Sequence, residues 1–148
     1  MEKQTLKGSC HCGKVAFEAQ MDLSNGTSRC NCAYCQKTRY WGVHTGLQDF
    51  KLLSGHNDLK SYSKSRRDVA FDLARKLEIY ENDLAFCGTC GVHSFNIGNI
   101  PEIGGEYVSI SVACLDHVDF KNIMQFPIQF MNGRDDDWFS TPSYTSHL

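Results

Sequence analysis

Val15, Phe17, Ala19 and Met21 alternate with Lys14, Ala16, Glu18 and Gln20, a period of two that predicts a half-buried strand. The rhythm is clearest over residues 107–115, where Val108, Ile110, Val112 and Cys114 fall on one face and predict a core strand. Shorter apolar runs predict strands at 40–46, 50–53, 59–62 and 92–97, with turns at 22–28 and 54–58 and a Pro/Gly loop at 100–106. A last apolar segment, 127–130, precedes a polar tail. One stretch has helical spacing: Val69, Leu73, Leu77 and Tyr80 recur at intervals of four, four and three, predicting a helix over 66–80. Its end, 76–80, also alternates well enough to be a strand.

Length changes this picture little. The 148 residues suit a single domain, 1–148, that buries about two thirds of the surface its unfolded chain exposes. No repeat or linker divides it. No run of about eighteen apolar residues occurs, and the first seven residues carry charge with no apolar stretch behind them, so a cytoplasmic protein without membrane contact is expected. The formal net charge is -2 and the basic residues are scattered, which argues against nucleic acid as a partner.

The eight cysteines change it most. In a reducing compartment, closely spaced cysteines are expected as metal ligands rather than disulfides. Cys30-Asn31-Cys32-Ala33-Tyr34-Cys35 places three thiols within six residues, a set able to hold one ion almost unaided. Cys10-His11-Cys12, if extended, turns both thiols to one face and His11 to the other. Cys87-Gly88-Thr89-Cys90-Gly91 has the form of a metal knuckle; a thioredoxin-like reading would need a βαβ context, which is lacking. Cys10, Cys12, Cys87 and Cys90 together supply a closed tetrahedral site, leaving Cys30, Cys32 and Cys35 as an open one. Spacing alone also permits Cys30 and Cys32 to pair with Cys87 and Cys90, or the three-thiol set to be closed by Cys114 or His44. Cys114 is expected as a small buried hydrophobe and His93 as a hydrogen-bonding neighbour of the knuckle. Asp135, Asp136 and Asp137 read as a solvated loop.

The succession Gly8-Ser9-Cys10-His11-Cys12-Gly13, Cys30-Asn31-Cys32-Ala33-Tyr34-Cys35 and Phe86-Cys87-Gly88-Thr89-Cys90-Gly91-Val92-His93 resembles the glutathione-dependent formaldehyde-activating enzyme family, which includes the centromere protein V domain. Leu52-Leu53-Ser54-Gly55, Val112-Ala113-Cys114-Leu115-Asp116 and the run from Asn132-Gly133-Arg134 to Trp138 extend the resemblance over nearly the whole chain. It implies a mainly β fold of small, coiled antiparallel sheets around zinc, similar to Rab-accessory zinc proteins and methionine sulfoxide reductase B. It also implies two zinc ions, a structural one on Cys10, Cys12, Cys87 and Cys90 and a catalytic one on Cys30, Cys32 and Cys35. The namesake reaction joins glutathione to formaldehyde and is classed, for its reverse, as a carbon-sulfur lyase. The segment 66–85 is a departure, longer and more charged than the family's usual connection.

On this reading the catalytic zinc takes a substrate thiol as its fourth ligand and makes it nucleophilic toward an aldehyde. Asn31 and Tyr34 are placed to orient the substrate, and Arg29, Lys37 or Arg39 to meet carboxylates of a glutathione-like thiol. The alternative is a non-enzymatic, zinc-scaffolded binding module, since fold and metal do not by themselves establish a reaction.

Overall fold

The computed structural model describes residues 2–62 and 84–148. The helix expected over 66–80 lies outside the described residues. Among those described, ten strands form two sheets. The smaller has the order β1 (Gln4–Ser9), β2 (Ala16–Met21), β5 (Phe50–Ser54), all antiparallel. The larger runs β10 (Ile128–Met131), β3 (Thr27–Cys30), β4 (Trp41–Gly46), β9 (Gly105–Ser111), β8 (Phe95–Ile100), β7 (Leu84–Cys87), β6 (Leu59–Tyr62). Every pairing in it is antiparallel except β10 with β3, which is parallel. Two short helices, α1 (Ala33–Thr38) and α2 (Phe120–Ile123), complete the regular structure. The fold is mainly β, as the alternation predicts, and no described helix is long and apolar enough to cross a membrane.

The core is where the inward rows of the two sheets meet. Phe17, Ala19 and Met21 of β2 are buried while Gln20 faces out, the arrangement a period of two requires. In the larger sheet, Phe95 of β8 opposes Ile110 of β9 and Ile97 opposes Val108, all four fully buried. Three rings join the layers: Phe17 lies 5.6 Å from Phe50 and 6.1 Å from Phe95, and Phe50 lies 4.7 Å from Phe95. Such aromatic contacts add about 0.5–1.5 kcal/mol each beyond area burial. Thr45 on β4 donates across the layers to the Gln20 carbonyl at 2.7 Å.

Several expectations are corrected. The charged N-terminal stretch, to which the pattern assigns no element, is strand β1; one of its inward residues, Gly8, lies against the Phe17 ring and contributes no hydropathy. Residues 22–28 are only in part a turn: a 3-10 turn over Leu23–Asn25 leads into β3 at Thr27. The strand expected over 92–97 starts at Phe95, since the Val92 carbonyl is taken by the Cys87 N–H at 3.0 Å to close the knuckle. The strand expected over 107–115 begins at Gly105 and stops at Ser111, and Val112–Cys114 forms a 3-10 turn closed by Leu115 N–H on the Val112 carbonyl. Val112 and Cys114 are therefore buried from a turn rather than from a strand face.

Candidate functional site

The strand ends bring seven of the eight cysteines into two groups. In the first, the sulfurs of Cys10, Cys12, Cys87 and Cys90 all lie within 4.8 Å of one another. Cys10 and Cys12 follow β1 in a tight turn, so the extended conformation that would set both thiols on one face is not adopted, and Cys87 ends β7. Both turns close alike. Cys10 N–H donates to the Val15 carbonyl and Cys87 N–H to that of Val92, while Gly13 and Gly91 donate back to the carbonyls of Cys10 and Cys87. Gly13 and Gly91 hold φ of 78° and 75°, a left-handed conformation open to glycine at little cost. His11 points to solvent.

The sulfur separations fit a metal. Cys10 to Cys12 is 3.6 Å and Cys12 to Cys87 is 3.7 Å, close to the edge of about 3.8 Å that a tetrahedron with zinc-sulfur bonds of about 2.3 Å would have. Backbone donors face the sulfurs: Val15 N–H reaches Cys10 Sγ at 3.3 Å. The N–H groups of Val92 and Cys12 draw the Cys90 thiol down to about 6, favouring the thiolate that a metal needs.

The second group is Cys30, Cys32 and Cys35, whose sulfurs also lie within 4.8 Å of one another. Cys30 ends β3, and the stretch after it is not a loop: Cys32 caps α1, with Cys35 N–H donating to its Sγ at 3.4 Å. Cys32 N–H in turn donates to Cys30 Sγ at 3.3 Å. Hydrogen bonds from the thiols of Cys30 and Cys35, followed by backbone N–H groups, pull Cys32 down to about 2, and the same contacts push Cys35 up. Among the described residues no fourth Cys, His, Asp or Glu donor joins the three. Cys114 instead directs its Sγ to the His93 carbonyl at 3.8 Å, and His44 lies against the Tyr107 ring at 5.0 Å.

Aromatic groups line one side of this centre. Tyr34, between Cys32 and Cys35, has its hydroxyl 3.4 Å from His93 Nδ1 and its ring 6.2 Å from Tyr62. Tyr40 stacks on the His93 ring at 4.8 Å, with its hydroxyl 3.2 Å from both Asn96 Oδ1 and Ser109 Oγ. Desolvation raises Tyr34 and keeps its phenol protonated. Desolvation likewise holds His93 down to about 4, and its buried Nε2 has no hydrogen-bond partner.

The four residues expected at the substrate are placed differently from one another. Lys37 and Arg39 are exposed on the last turn and cap of α1, and Tyr34 is half-buried. Asn31 is buried, its Nδ2 donating to Asn132 Oδ1 at 2.7 Å and its Oδ1 accepting from the Arg134 backbone. Arg29 lies over the Trp41 ring at 5.2 Å. Sequence reasoning gave no role to Asn132, Gly133 and Arg134, although they hold the three-thiol turn in place. No local spacing could have linked residues 101 apart. A separate groove of about 360 Å3 between β3, β4 and the N-terminal strands is lined by no cysteine.

A crystal structure of a Rhodobacter sphaeroides protein superposes with a TM-score of 0.55 at 25% identity, over 84% of this chain and 100% of that one. The family profile described as "Glutathione-dependent formaldehyde-activating enzyme" matches residues 5–129, which include all seven grouped cysteines. By that match the chain belongs to the glutathione-dependent formaldehyde-activating enzyme family.

Proposed function

We propose that this protein is a zinc-dependent enzyme of the carbon-sulfur lyase type that adds a small thiol, such as glutathione, to formaldehyde or a related aldehyde. The observation that carries the reading is the contrast between the two thiol groups: four sulfurs in one, three and no further donor among the described residues in the other. Four ligands close a structural site, whereas three leave a position for a reacting ligand. The four sulfurs of Cys10, Cys12, Cys87 and Cys90 hold the structural ion and those of Cys30, Cys32 and Cys35 the catalytic one.

When bound by three thiolates, zinc supplies a position at which a substrate thiol is held deprotonated and nucleophilic. The chain's own residues organise the rest. The thiol gives up its proton to solvent and its sulfur forms a bond to the aldehyde carbon. The carbonyl π pair moves to oxygen, and that oxygen takes one proton back from solvent to give the hemithioacetal, S-hydroxymethyl in the case of formaldehyde. Tyr34, kept protonated beside Cys35, offers its O–H to the aldehyde oxygen, with His93 Nδ1 fixing the phenol's direction. Lys37 and Arg39 meet carboxylates of the thiol substrate. Asn31 acts by fixing the turn, since its amide is held by Asn132 and Arg134.

The test is exchange spectroscopy of glutathione with labelled formaldehyde. The zinc-loaded protein should speed formation of the hydroxymethyl adduct, and Cys32→Ser should abolish the effect while one zinc remains. No acceleration by fully loaded protein would overturn the enzyme reading and leave the zinc-scaffolded binding module.

A further inference from the structure

The three-thiol group contains a smaller unit. Cys32-Ala33-Tyr34-Cys35 is a Cys-x-x-Cys turn in which Cys32 caps α1 and Cys35 stands in its first turn. Positions three apart on a helix have Cα atoms about 5 Å apart, inside the span of about 4.4–6.8 Å that a disulfide bridges. The two sulfurs lie within 4.8 Å of one another, so rotation of the side chains brings them to bonding distance. Both residues are half-buried. Cys30 is withdrawn from such a bond: it is 8% exposed, and a Cβ on Gly133 would stand 2.6 Å from its Sγ, so the glycine backbone covers the sulfur.

The turn keeps its shape without the sulfurs. Gln36 N–H donates to the Cys32 carbonyl and Tyr40 N–H to that of Cys35, both at 3.0 Å. Asn31 is braced by Asn132 and Arg134. None of these bonds uses a thiol, so α1 has no need of a metal to stay formed. The four-thiol group has the same spacing in Cys87-Gly88-Thr89-Cys90 yet a different situation. Its fourth donor closes the coordination, and Cys12 and Cys87 join segments 75 residues apart. Among the described residues the three-thiol group has no fourth donor, so its open position admits a small molecule to the sulfurs of Cys32 and Cys35.

We propose that Cys32 and Cys35 form an oxidative modification site: hydrogen peroxide links them as a disulfide, which disarms the three-thiol centre and leaves the four-thiol centre and the fold in place. The proposal rests on the metal-binding reading above and adds redox control to it. The thiolate of one cysteine attacks a peroxide oxygen; the O–O bond breaks, and the departing hydroxide takes up a proton as water. The sulfenic acid so formed is attacked by the sulfur of the other cysteine, the S–O bond breaks, and a second water leaves. Two thiols and one peroxide thus give one disulfide and two waters, two electrons passing from sulfur to oxygen. Cys30 alone then remains as a donor, too few to retain an ion. A dithiol reverses the change by exchange at the disulfide.

The test treats full-length, zinc-loaded protein with hydrogen peroxide and follows three readouts: zinc released to a chromogenic chelator, the thermal transition, and the sulfur linkage, located by tandem mass spectrometry after alkylation of free thiols. About one zinc equivalent of two should be released, with a link between Cys32 and Cys35, Cys30 alkylated and the transition kept. Dithiothreitol and zinc should restore the starting state. Cys35→Ser should yield no link within the turn, and a sulfenic-acid reagent should label Cys32 in its place. Full alkylation of Cys32 and Cys35 after peroxide would overturn the modification site. A link between Cys87 and Cys90, or a transition lost with the first zinc released, would overturn its selectivity. Protein that never takes up a second zinc would overturn the metal-centre reading and the redox control of it, while the mass spectrum still reads the sulfur link on its own.

Discussion

Arg134 grips Asn31 twice: its backbone N–H donates to Asn31 Oδ1 at 2.9 Å and its Nε donates to the Asn31 carbonyl at 3.3 Å. A residue between two cysteines of the three-thiol group is thereby tied to the chain that follows β10. Asn31→Ala strands the Arg134 N–H and the Asn132 amide oxygen, for a loss of about 1–3 kcal/mol. Urea unfolding should show that loss, and metal titration should show weaker retention at the three-thiol site with the four-thiol site unchanged.

Gly133 presses on the same place from the other side. A Cβ there would stand 2.6 Å from Cys30 Sγ and 2.5 Å from the Trp138 ring. Gly133→Ala should displace one or both and destabilise the protein by about 1–3 kcal/mol, as overpacking does. Metal analysis after dialysis should show the second equivalent lost before the first.

The two thiol groups should differ in what their removal does to the fold. Cys12 and Cys87 lie 3.7 Å apart and 75 residues apart in sequence, so an ion between them ties β1 to β7. Cys87→Ser, or a strong chelator, should abolish the cooperative thermal transition, because binding energy at such a site is folding energy. Cys32→Ser should leave that transition in place with about one metal equivalent fewer.

His93 gives stability a pH dependence of known sign. Its folded value is held down to about 4 against 6.5 for the free side chain. As pH falls through 6.5 the unfolded chain takes up a proton that the folded chain refuses until about 4, so stability declines across that window. The slope is at most about 1.4 kcal/mol per pH unit. His93→Phe keeps the stacking surface for Tyr40 and removes the ionisation; its denaturation midpoint should therefore fall less steeply than the wild-type midpoint between pH 6.5 and 4.

How far these features were legible in the sequence depended on whether the governing contact was local. The alternation at Phe17, Ala19 and Met21 was legible because β2 has one buried row and one solvated row. β1 was hidden because Gly8, at its buried position, has no side chain to register. The apolar row through Val108 and Ile110 ran on past the strand's end, since Val112 and Cys114 are buried from a turn and hydropathy cannot tell the two apart. The three-thiol grouping was legible because Cys30, Cys32 and Cys35 are neighbours in the chain. Spacing left two groupings open, and the pairing of β6 with β7, together with the turn after β1, brings Cys87 to Cys12. The brace from Asn132 and Arg134 to Asn31 was invisible because it joins residues 101 and 103 apart.

The parallel pairing of β10 with β3 sets an order of assembly. The four-thiol group and the β4, β8 and β9 ladder are complete in a chain that has reached Ser111. The three-thiol turn has its sulfurs by Cys35 and β4 beside β3 soon after, yet β3 receives its second neighbour only when Met131 pairs beside Cys30. Contacts of such sequence separation form late, because the long loop must close first. On a ribosome the four-thiol group is thus finished well before the three-thiol group, whose turn is locked into place only as the last strand docks.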